Sequence, residues 1–120
     1  MAGELTPLVL LPRYTTYAGQ DDFYTIGIDV TRFSSAIVNI WRGKLLGTTP
    51  TIGFTFQESA DGYNWTNCAG VGPGVDPGQD QELQYTATLA KQWFRVKVTL
   101  GGTSPIGTCW AVGFLEERLT

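Results

Sequence analysis

Hydrophobic and polar residues alternate along much of the chain, which is the pattern of a β-strand with one face on a core. The alternation is regular in four stretches: residues 26–30, 52–56, 94–100 and 110–115. In the last stretch the apolar set is Trp110, Val112 and Phe114, so the pattern predicts that these side chains face the core. Cys109 has the opposite parity and is expected to point away from that core face.

Four further stretches are less regular but also predict strands: residues 8–11, 36–42, 64–68 and 84–89. Asp61-Gly62 is a hairpin signal, and Gly101-Gly102 is expected to be the turn that joins the last two strands. No stretch has sustained helical periodicity. About eight short strands at even spacing predict an all-β fold, a single antiparallel β-sandwich of jelly-roll or immunoglobulin-like type.

The N-terminal segment, residues 1–22, lies outside this alternation. Pro7 and Pro12 disfavour a helix or an interior strand, so the segment is expected to be an extended arm with no place in the sandwich. Its apolar side chains need a cover, which the sheet edge or a groove of a neighbouring subunit would supply. We therefore predict two parts, an arm over residues 1–22 and a β-sandwich domain over residues 23–120.

Composition excludes several classes of function. The 120 residues contain no histidine, which removes Ser-His-Asp and Cys-His catalysis and His-ligated zinc. The chain has eight basic residues, none of them in a run, and a net charge of −3. This distribution does not predict the basic surface that binds nucleic acid. No apolar run suits a signal peptide or a membrane span. We expect a chain that is not an enzyme and binds no cofactor. Cys68 and Cys109 are expected to be buried thiols, and a disulfide between them is the alternative if both point inward.

The most distinctive segment is S-A-D-G-Y-N-W-T, residues 59–66. Gly62 supplies the positive φ that a tight turn requires, and the side chains of Ser59 and Asp61 can hydrogen-bond the turn backbone. These residues are therefore expected to build the hairpin. The alternative interpretation is a carbohydrate-binding or host-adhesion module in which Tyr63 and Trp65 contact a glycan.

Acidic residues offer a calcium site as a further alternative. The candidate ligands are Asp76, Asp80 and Glu82, or Asp21 with Asp22. Their spacing matches no EF-hand loop, and acidic loop residues are usually solvated, so we predict no metal site.

Four segments between residues 51 and 115 carry a resemblance. They are TIGFTFQES, ADGYNWT, QWFRVKVTLGG and IGTCWAVGFL. This layout resembles small virion proteins of tailed phages, in which one β-sandwich contains an S-x-D-G-x-x-W turn and a W-[FV]-R strand. It is most similar to capsid decoration (cement) proteins. The resemblance covers a little over half of the chain, implies a non-enzymatic part of a particle and brings no catalytic residues with it.

We therefore expect a virion structural protein on the capsid surface, made in the host cytoplasm, that bridges neighbouring capsid subunits. Its partners would be the major capsid protein and copies of itself, a trimer being one ring that suits a symmetric shell. Interfaces favour aromatic residues and arginine. The expected contact residues are Leu8, Leu10, Arg13, Tyr14, Tyr17, Trp41 and Arg42. A tail or head-completion protein is the remaining alternative, and no membrane or nucleic-acid partner is expected.

Overall fold

The computed structural model describes residues 4–19 and 21–118, and every regular element in that part of the chain is a β-strand. Residues 1–3 and 20 of the predicted arm and residues 119–120 of the predicted sandwich lie outside the described residues. The strands are β1 (Leu5–Ala18), β2 (Asp21–Tyr24), β3 (Ile28–Asp29), β4 (Phe33–Arg42), β5 (Leu46–Ser59), β6 (Thr66–Asn67), β7 (Gln81–Thr88) and β8 (Trp93–Glu117). The described residues include no helix capable of crossing a membrane.

Strand β8 organises the sheet because it is 25 residues long and pairs with β1, β2, β3, β4 and β5, always antiparallel. Its first half lies between β5 on one side and β2 and β3 on the other. Its second half lies between β1 and β4, and β4 pairs in turn with β7. One sheet therefore curls into two layers. The first layer holds β2, β3, the first half of β8, β5 and β6; the second holds β1, the second half of β8, β4 and β7.

The sheet curls where β8 and β5 bend together. Gly102 in β8 has φ 99° and Gly47 in β5 has φ 122°, values in the left-handed region that favours glycine. A Cβ on Gly102 would lie 2.6 Å from the carbonyl oxygen of Thr49, and a Cβ on Gly47 would lie 2.8 Å from that of Ser104. The prediction that Gly101-Gly102 is a turn between two strands is wrong, because these glycines bend one continuous strand.

The two layers enclose a hydrophobic core. Phe54 and Phe56 of β5 and Phe94 of β8 are its largest fully buried side chains. Phe56 meets Tyr85 of β7 edge to face, with ring centroids 6.1 Å apart, and this contact joins the first layer to the second. Truncating a buried phenylalanine typically costs about 3–5 kcal/mol. The prediction of an all-β antiparallel sandwich is confirmed.

The second half of β8 turns the opposite face to the core from the one predicted. Cys109 is buried with Leu115, whereas Trp110, Val112 and Phe114 point outward. The prediction that the last three face the core, and that Cys109 leaves it, is therefore wrong. The alternation fixed the parity correctly. It did not predict which of the two sets faces the core, because the inward set consists largely of small residues and the larger hydrophobic residues lie outside.

The predicted strand over residues 26–30 is reduced to β3. Ile26 is 85% exposed and lies between strands, and only Ile28 and Asp29 pair with β8. Val30 then enters the core, where its N–H donates to the carbonyl of Gln92 at 2.7 Å. Ile28 also packs against the core, so the alternation predicted two of its three inward side chains correctly.

The predicted arm is extended, as expected, but it is a strand of this chain's own sheet. β1 pairs with β8 from Leu5, opposite Glu116, to Ala18, opposite Ile106. Leu8 of β1 is buried in the core. Leu8 and Leu11 are buried within the chain while Val9 stays exposed, and the expectation that the segment has no place in the sandwich is wrong. The boundary drawn after residue 22 stays a prediction.

Candidate functional site

The second layer turns a largely apolar surface to the solvent. Side chains from β1, β8 and β4 lie in cross-strand rows on its outer side. We call this set the apolar face: Val9, Ile37, Trp41, Trp110, Val112 and Phe114. Val9 is 66% exposed and Phe114 is 41% exposed. Contiguous apolar surface on a soluble protein is characteristic of interaction sites.

Two stacked tryptophans form one end of the apolar face. The rings of Trp41 and Trp110 lie 4.4 Å apart and are inclined by 15°. Tyr14 meets Trp110 edge-on at 6.1 Å, and the Arg13 guanidinium carbon is 5.3 Å from the ring centroid of Trp110. The indole N–H of Trp110 donates to the carboxylate of Glu82 at 3.1 Å. The structure thus brings three predicted contact residues, Arg13, Tyr14 and Trp41, into one cluster.

An open groove of about 520 Å³ runs beside this cluster. Residues from β1, β4 and β8 line it, among them Val9, Pro12, Asn39 and Phe114. The volume lies within the range of about 300–1,000 Å³ that is usual for binding pockets. The groove is therefore large enough to accept apolar side chains from a partner.

The outer edge of β1 is poorly suited to adding another strand. Pro7 and Pro12 have no N–H to donate to a ladder. The register of β1 with β8 also shifts twice, between Val9 and Leu11 and between Leu11 and Thr15. Prolines and bulges are the devices that protect sheet edges from pairing. The geometry favours contact through the apolar face over strand addition at this edge.

Three other predicted contact residues of β1 are directed at the core. Leu8 is buried, and Leu10 and Tyr17 are half-buried against the core. The ring of Tyr17 stacks on Phe23 of β2 with centroids 4.8 Å apart. Burial raises the pKa of the Tyr17 phenol, and the nearby Cys109 adds to the effect. These three side chains support the strand that carries the exposed cluster.

Arg42, the last predicted contact residue, is bound to a loop. Its Nε and Nη2 donate to the two carboxylate oxygens of Asp76 at 2.9 and 3.1 Å, and its side chain is 14% exposed. Partial burial raises the pKa of Asp76, but the hydrogen bonds from Arg42 and the Gly78 N–H more than offset it, so that pKa lies below its ordinary value. Arg42 therefore anchors the loop over residues 69–80, which is rich in glycine and proline and which exchanges two backbone hydrogen bonds with β5, between Val75 and Phe54.

The hairpin at residues 59–66 is built as predicted. The buried hydroxyl of Ser59 donates to Asp61 at 2.9 Å and accepts from the N–H of Gly62 at 2.8 Å, where φ is 82°. Asp61 accepts from the backbone N–H groups of Asn64 and Tyr63 and from the Asn64 amide. These bonds, with those of the Asn64 and Tyr63 backbone first, hold the pKa of Asp61 well below its usual range.

Arg95 lies between two aromatic rings on the outer side of the first layer. Its guanidinium carbon is 4.0 Å from the ring centroid of Tyr24 and 4.1 Å from that of Trp65, and its Nε donates to Gln57 at 2.9 Å. An open cleft of about 400 Å³ adjoins this stack. Its lining residues are Gly27, Asp61, Gly62, Tyr63, Trp65, Trp93 and Arg95. Tyr63 and Trp65, the predicted glycan contacts, therefore share one cleft.

The cysteines and acidic residues have structural surroundings. Cys68 and Cys109 are buried free thiols, and burial raises the pKa of each to about 12, which keeps the nucleophilic thiolate scarce at neutral pH. Asp22 lies 3.5 Å from the Lys97 ammonium. Over residues 4–19 and 21–118, the structure contains no cluster of three or more acidic or cysteine side chains placed to hold a metal ion.

No protein-family model and no curated protein matches this sequence. Among solved structures, the chain is similar to one described as "Crystal structure of infectious bursal disease virus VP2 subviral particle". The TM-score is 0.63 at 8% sequence identity. This fold resembles that of a viral capsid protein. The match covers 96% of this chain and 33% of that chain, so this chain spans one third of its neighbour's length. At this identity the likeness shows the fold alone.

Sequence reasoning missed Val9, Val112 and Phe114 as surface residues and Arg95 as part of a cleft. One signal was present for the first group. In the stretch C-W-A-V-G-F-L, the residues that alternate with the large hydrophobic ones are themselves apolar. Such a near-continuous apolar run is typical of a strand that is covered on both faces. The contacts of Arg95 come from β2 and the hairpin, and no local pattern connects them.

Proposed function

We propose that this chain is a non-enzymatic structural protein of a virus particle, and that it acts as a capsid decoration subunit. The observation that carries the proposal is the apolar face, a surface of aromatic and aliphatic side chains that a soluble monomer would not retain without a partner. The capsid-type fold supports the general role. The phage-like sequence layout supports the decoration role in particular.

In this proposal the apolar face binds a neighbouring capsid subunit. The Trp41–Trp110 stack with Arg13 and Tyr14 supplies rigid anchors of the residue types that dominate binding energy at interfaces. The adjacent groove accepts an apolar side chain of that subunit. Because the chain binds the assembled lattice and not free subunits, it stabilises the lattice by mass action.

The structure changes the way in which the N-terminal segment takes part. Truncating residues 1–20 would remove β1 and uncover the core beneath Leu8, so loss of binding after truncation would not separate docking from folding. Substitutions of outward side chains on the apolar face make the sharper test. Phe114→Ser removes an exposed ring without opening the core.

The test begins with particles of the virus that encodes the chain. We expect the chain in gradient-purified particles at a copy number that matches the capsid lattice, measured by quantitative mass spectrometry and located on the shell by electron cryo-microscopy. A chain absent from the particles contradicts the structural role. A handful of copies at one vertex contradicts decoration and supports a tail or head-completion protein.

Matched variants then test the apolar face. Phe114→Ser is expected to reduce the particle-bound fraction about ten-fold or more, as loss of an aromatic anchor does at interfaces. Ile26→Ser is the control, because Ile26 is a hydrophobic residue outside the apolar face and is even more exposed than Phe114. Equal binding by both variants, each with an unchanged unfolding temperature, would show that the apolar face is not the contact.

A further inference from the structure

The cleft of the first layer contains a charged group that the proposed function does not use. Arg95 donates its Nε hydrogen to Gln57, and within residues 4–19 and 21–118 its two terminal amino groups have neither a hydrogen-bond partner nor an ion pair. An arginine has five N–H donors. Most of this donor set therefore remains available at the wall of the cleft.

The aromatic stack determines how a ligand can approach this guanidinium. Tyr24 covers one face and Trp65 covers another, at nearly equal distances of 4.0 and 4.1 Å. With its ring contacts occupied, the group can bind a ligand only through the N–H donors at its edge. That fork matches the two oxygens of a carboxylate, and the stack holds it in place before binding.

The remaining walls of the cleft suit a ring rather than a bare anion. Trp93 and the exposed Tyr63 add aromatic surface, on which the C–H faces of a sugar can pack. The indole N–H of Trp93 has no hydrogen-bond partner in the described part of the chain. The cleft thus combines apolar surface with a few fixed polar groups, as ligand pockets do.

Asp61 also lines the cleft and sets a limit on the ligand. Its carboxylate is bonded to the hairpin backbone and is not within 4 Å of a basic nitrogen of Arg95. The negative charge of the Asp61 carboxylate disfavours a small, highly charged anion such as phosphate. Its Oδ2 accepts only from the Asn64 amide and can therefore accept a further hydrogen bond from a hydroxyl group. A ligand with one carboxylate and several hydroxyls satisfies both residues.

We infer that this cleft binds a sugar that carries a carboxylate. The carboxylate lies at the terminal amino groups of Arg95, the ring packs against Trp93 and Tyr63, and hydroxyls face Asp61. The site lies on the first layer and involves no residue of the apolar face, so it is independent of the proposed decoration role. No covalent chemistry is involved.

Nuclear magnetic resonance of the four tryptophan indole N–H groups tests this inference with an internal control. The probes are methyl β-glucuronide and sialyllactose, each compared with its neutral counterpart, methyl β-glucoside or lactose. We expect the acidic sugars to shift the Trp65 and Trp93 signals saturably and to leave those of Trp41 and Trp110 unchanged. Each neutral sugar and acetate alone should bind about ten-fold more weakly or worse, since each lacks one part of the recognition.

Substitutions of two basic residues on one face of β8, Arg95 and Lys97, complete the design. Arg95→Gln is expected to weaken binding of the better acidic sugar about ten-fold or more, and Arg95→Lys should restore only part of it, because lysine lacks the planar fork. Lys97→Gln, which removes the same charge two residues away, should change the affinity by less than about two-fold. Unchanged Trp41 and Trp110 signals confirm that each variant is folded.

Three results would overturn the inference. The first is that neither acidic sugar binds better than its neutral counterpart, and the second is that acetate binds as well as the acidic sugar. The third is that Lys97→Gln lowers the affinity for the acidic sugar as much as Arg95→Gln does, which would indicate a general effect of positive charge. Because particle incorporation plays no part in these measurements, failure here and failure of the decoration role are distinguishable.

Discussion

The carboxylate of Asp61 is bonded to two backbone N–H groups and to the side chains of Ser59 and Asn64, and it closes the hairpin. All these bonds favour its ionised form, which is why its pKa is lowered. The backbone geometry of this turn therefore sets the pKa of the Asp61 carboxylate. The lowered pKa affects folding stability at acidic pH.

We expect Asp61 to make folding stability depend on pH. In the unfolded chain its pKa is about 3.9, and in the folded chain it is lower, so the stabilisation is fully present above about pH 4 and is lost as the pH falls through the folded value. Urea midpoints followed from neutral to acid pH should therefore fall less steeply in Asp61→Asn than in the natural protein. Asp80→Asn, in an exposed loop, is the control. Identical slopes in all three would contradict the role of the turn.

Residue-level inference from the sequence was successful where a residue has a local reason for its position. Gly62 and Asp61 were identified because a turn needs a positive φ and an acceptor for its N–H groups. Cys109 and Trp110 were placed on opposite faces correctly, but the core was assigned to the wrong side. Which side is inside depends on what β4 and β1 place there, and that information is remote in the sequence.

At the scale of the strands, Gly113 of β8 lies tightly against the backbone of β4. A Cβ built on Gly113 would overlap the carbonyl oxygen of Ile37, which belongs to the backbone and cannot rotate away. The two strands carry the core on one side and the apolar face on the other. Any widening between them therefore affects both surfaces.

Gly113→Ala is expected to destabilise the protein by about 1–3 kcal/mol or more, the usual cost of overpacking a tight site. Denaturant unfolding measures this. Gly72→Ala is the matched control, because a Cβ there meets nothing within 4 Å and Gly72 does not need a positive φ. Equal stabilities for the two variants would mean that β8 and β4 separate easily.

The strands themselves show why the prediction of element boundaries failed at particular places. Gly101-Gly102 suits a turn and a bend equally well by local chemistry. The bend of β8 follows from β5, which bends beside it at Gly47 and Thr49. The backbone of β5 lies so close to Gly102 that no side chain fits there. The prolines of β1 correctly indicated an extended segment, but the segment was expected to be an arm outside the sandwich, because the strand with which it pairs lies about a hundred residues away.

At the scale of the whole molecule, the principal dimensions are 49 × 28 × 21 Å. A straight strand of 25 residues would be about 80 Å long at about 3.3 Å per residue. β8 must therefore change direction inside the molecule, and its bend is what allows one strand to serve both layers. The two layers share a covalent backbone as well as a core.

This sharing predicts that the layers unfold together. We expect the indole N–H signals of Trp93 in the first layer and Trp41 in the second to disappear with the same midpoint on heating, and the calorimetric and van't Hoff enthalpies to agree. Loss of the Trp41 signal at a clearly lower temperature would show that the second layer opens alone. Such opening would mean that the apolar face is lost while the first layer is still folded.

The order of the strands also governs when the molecule can form at all. β8 is the last described strand to leave the ribosome. In the described part of the chain it is the partner strand of β1, β2 and β3, and it joins the β5–β6 pair to the β4–β7 pair. A nascent chain that has emerged only as far as β7 has the hydrophobic residues of a core and no central strand to arrange them. Folding is thus postponed until translation has passed β8, and a chain terminated before β8 forms neither the second layer nor its apolar face.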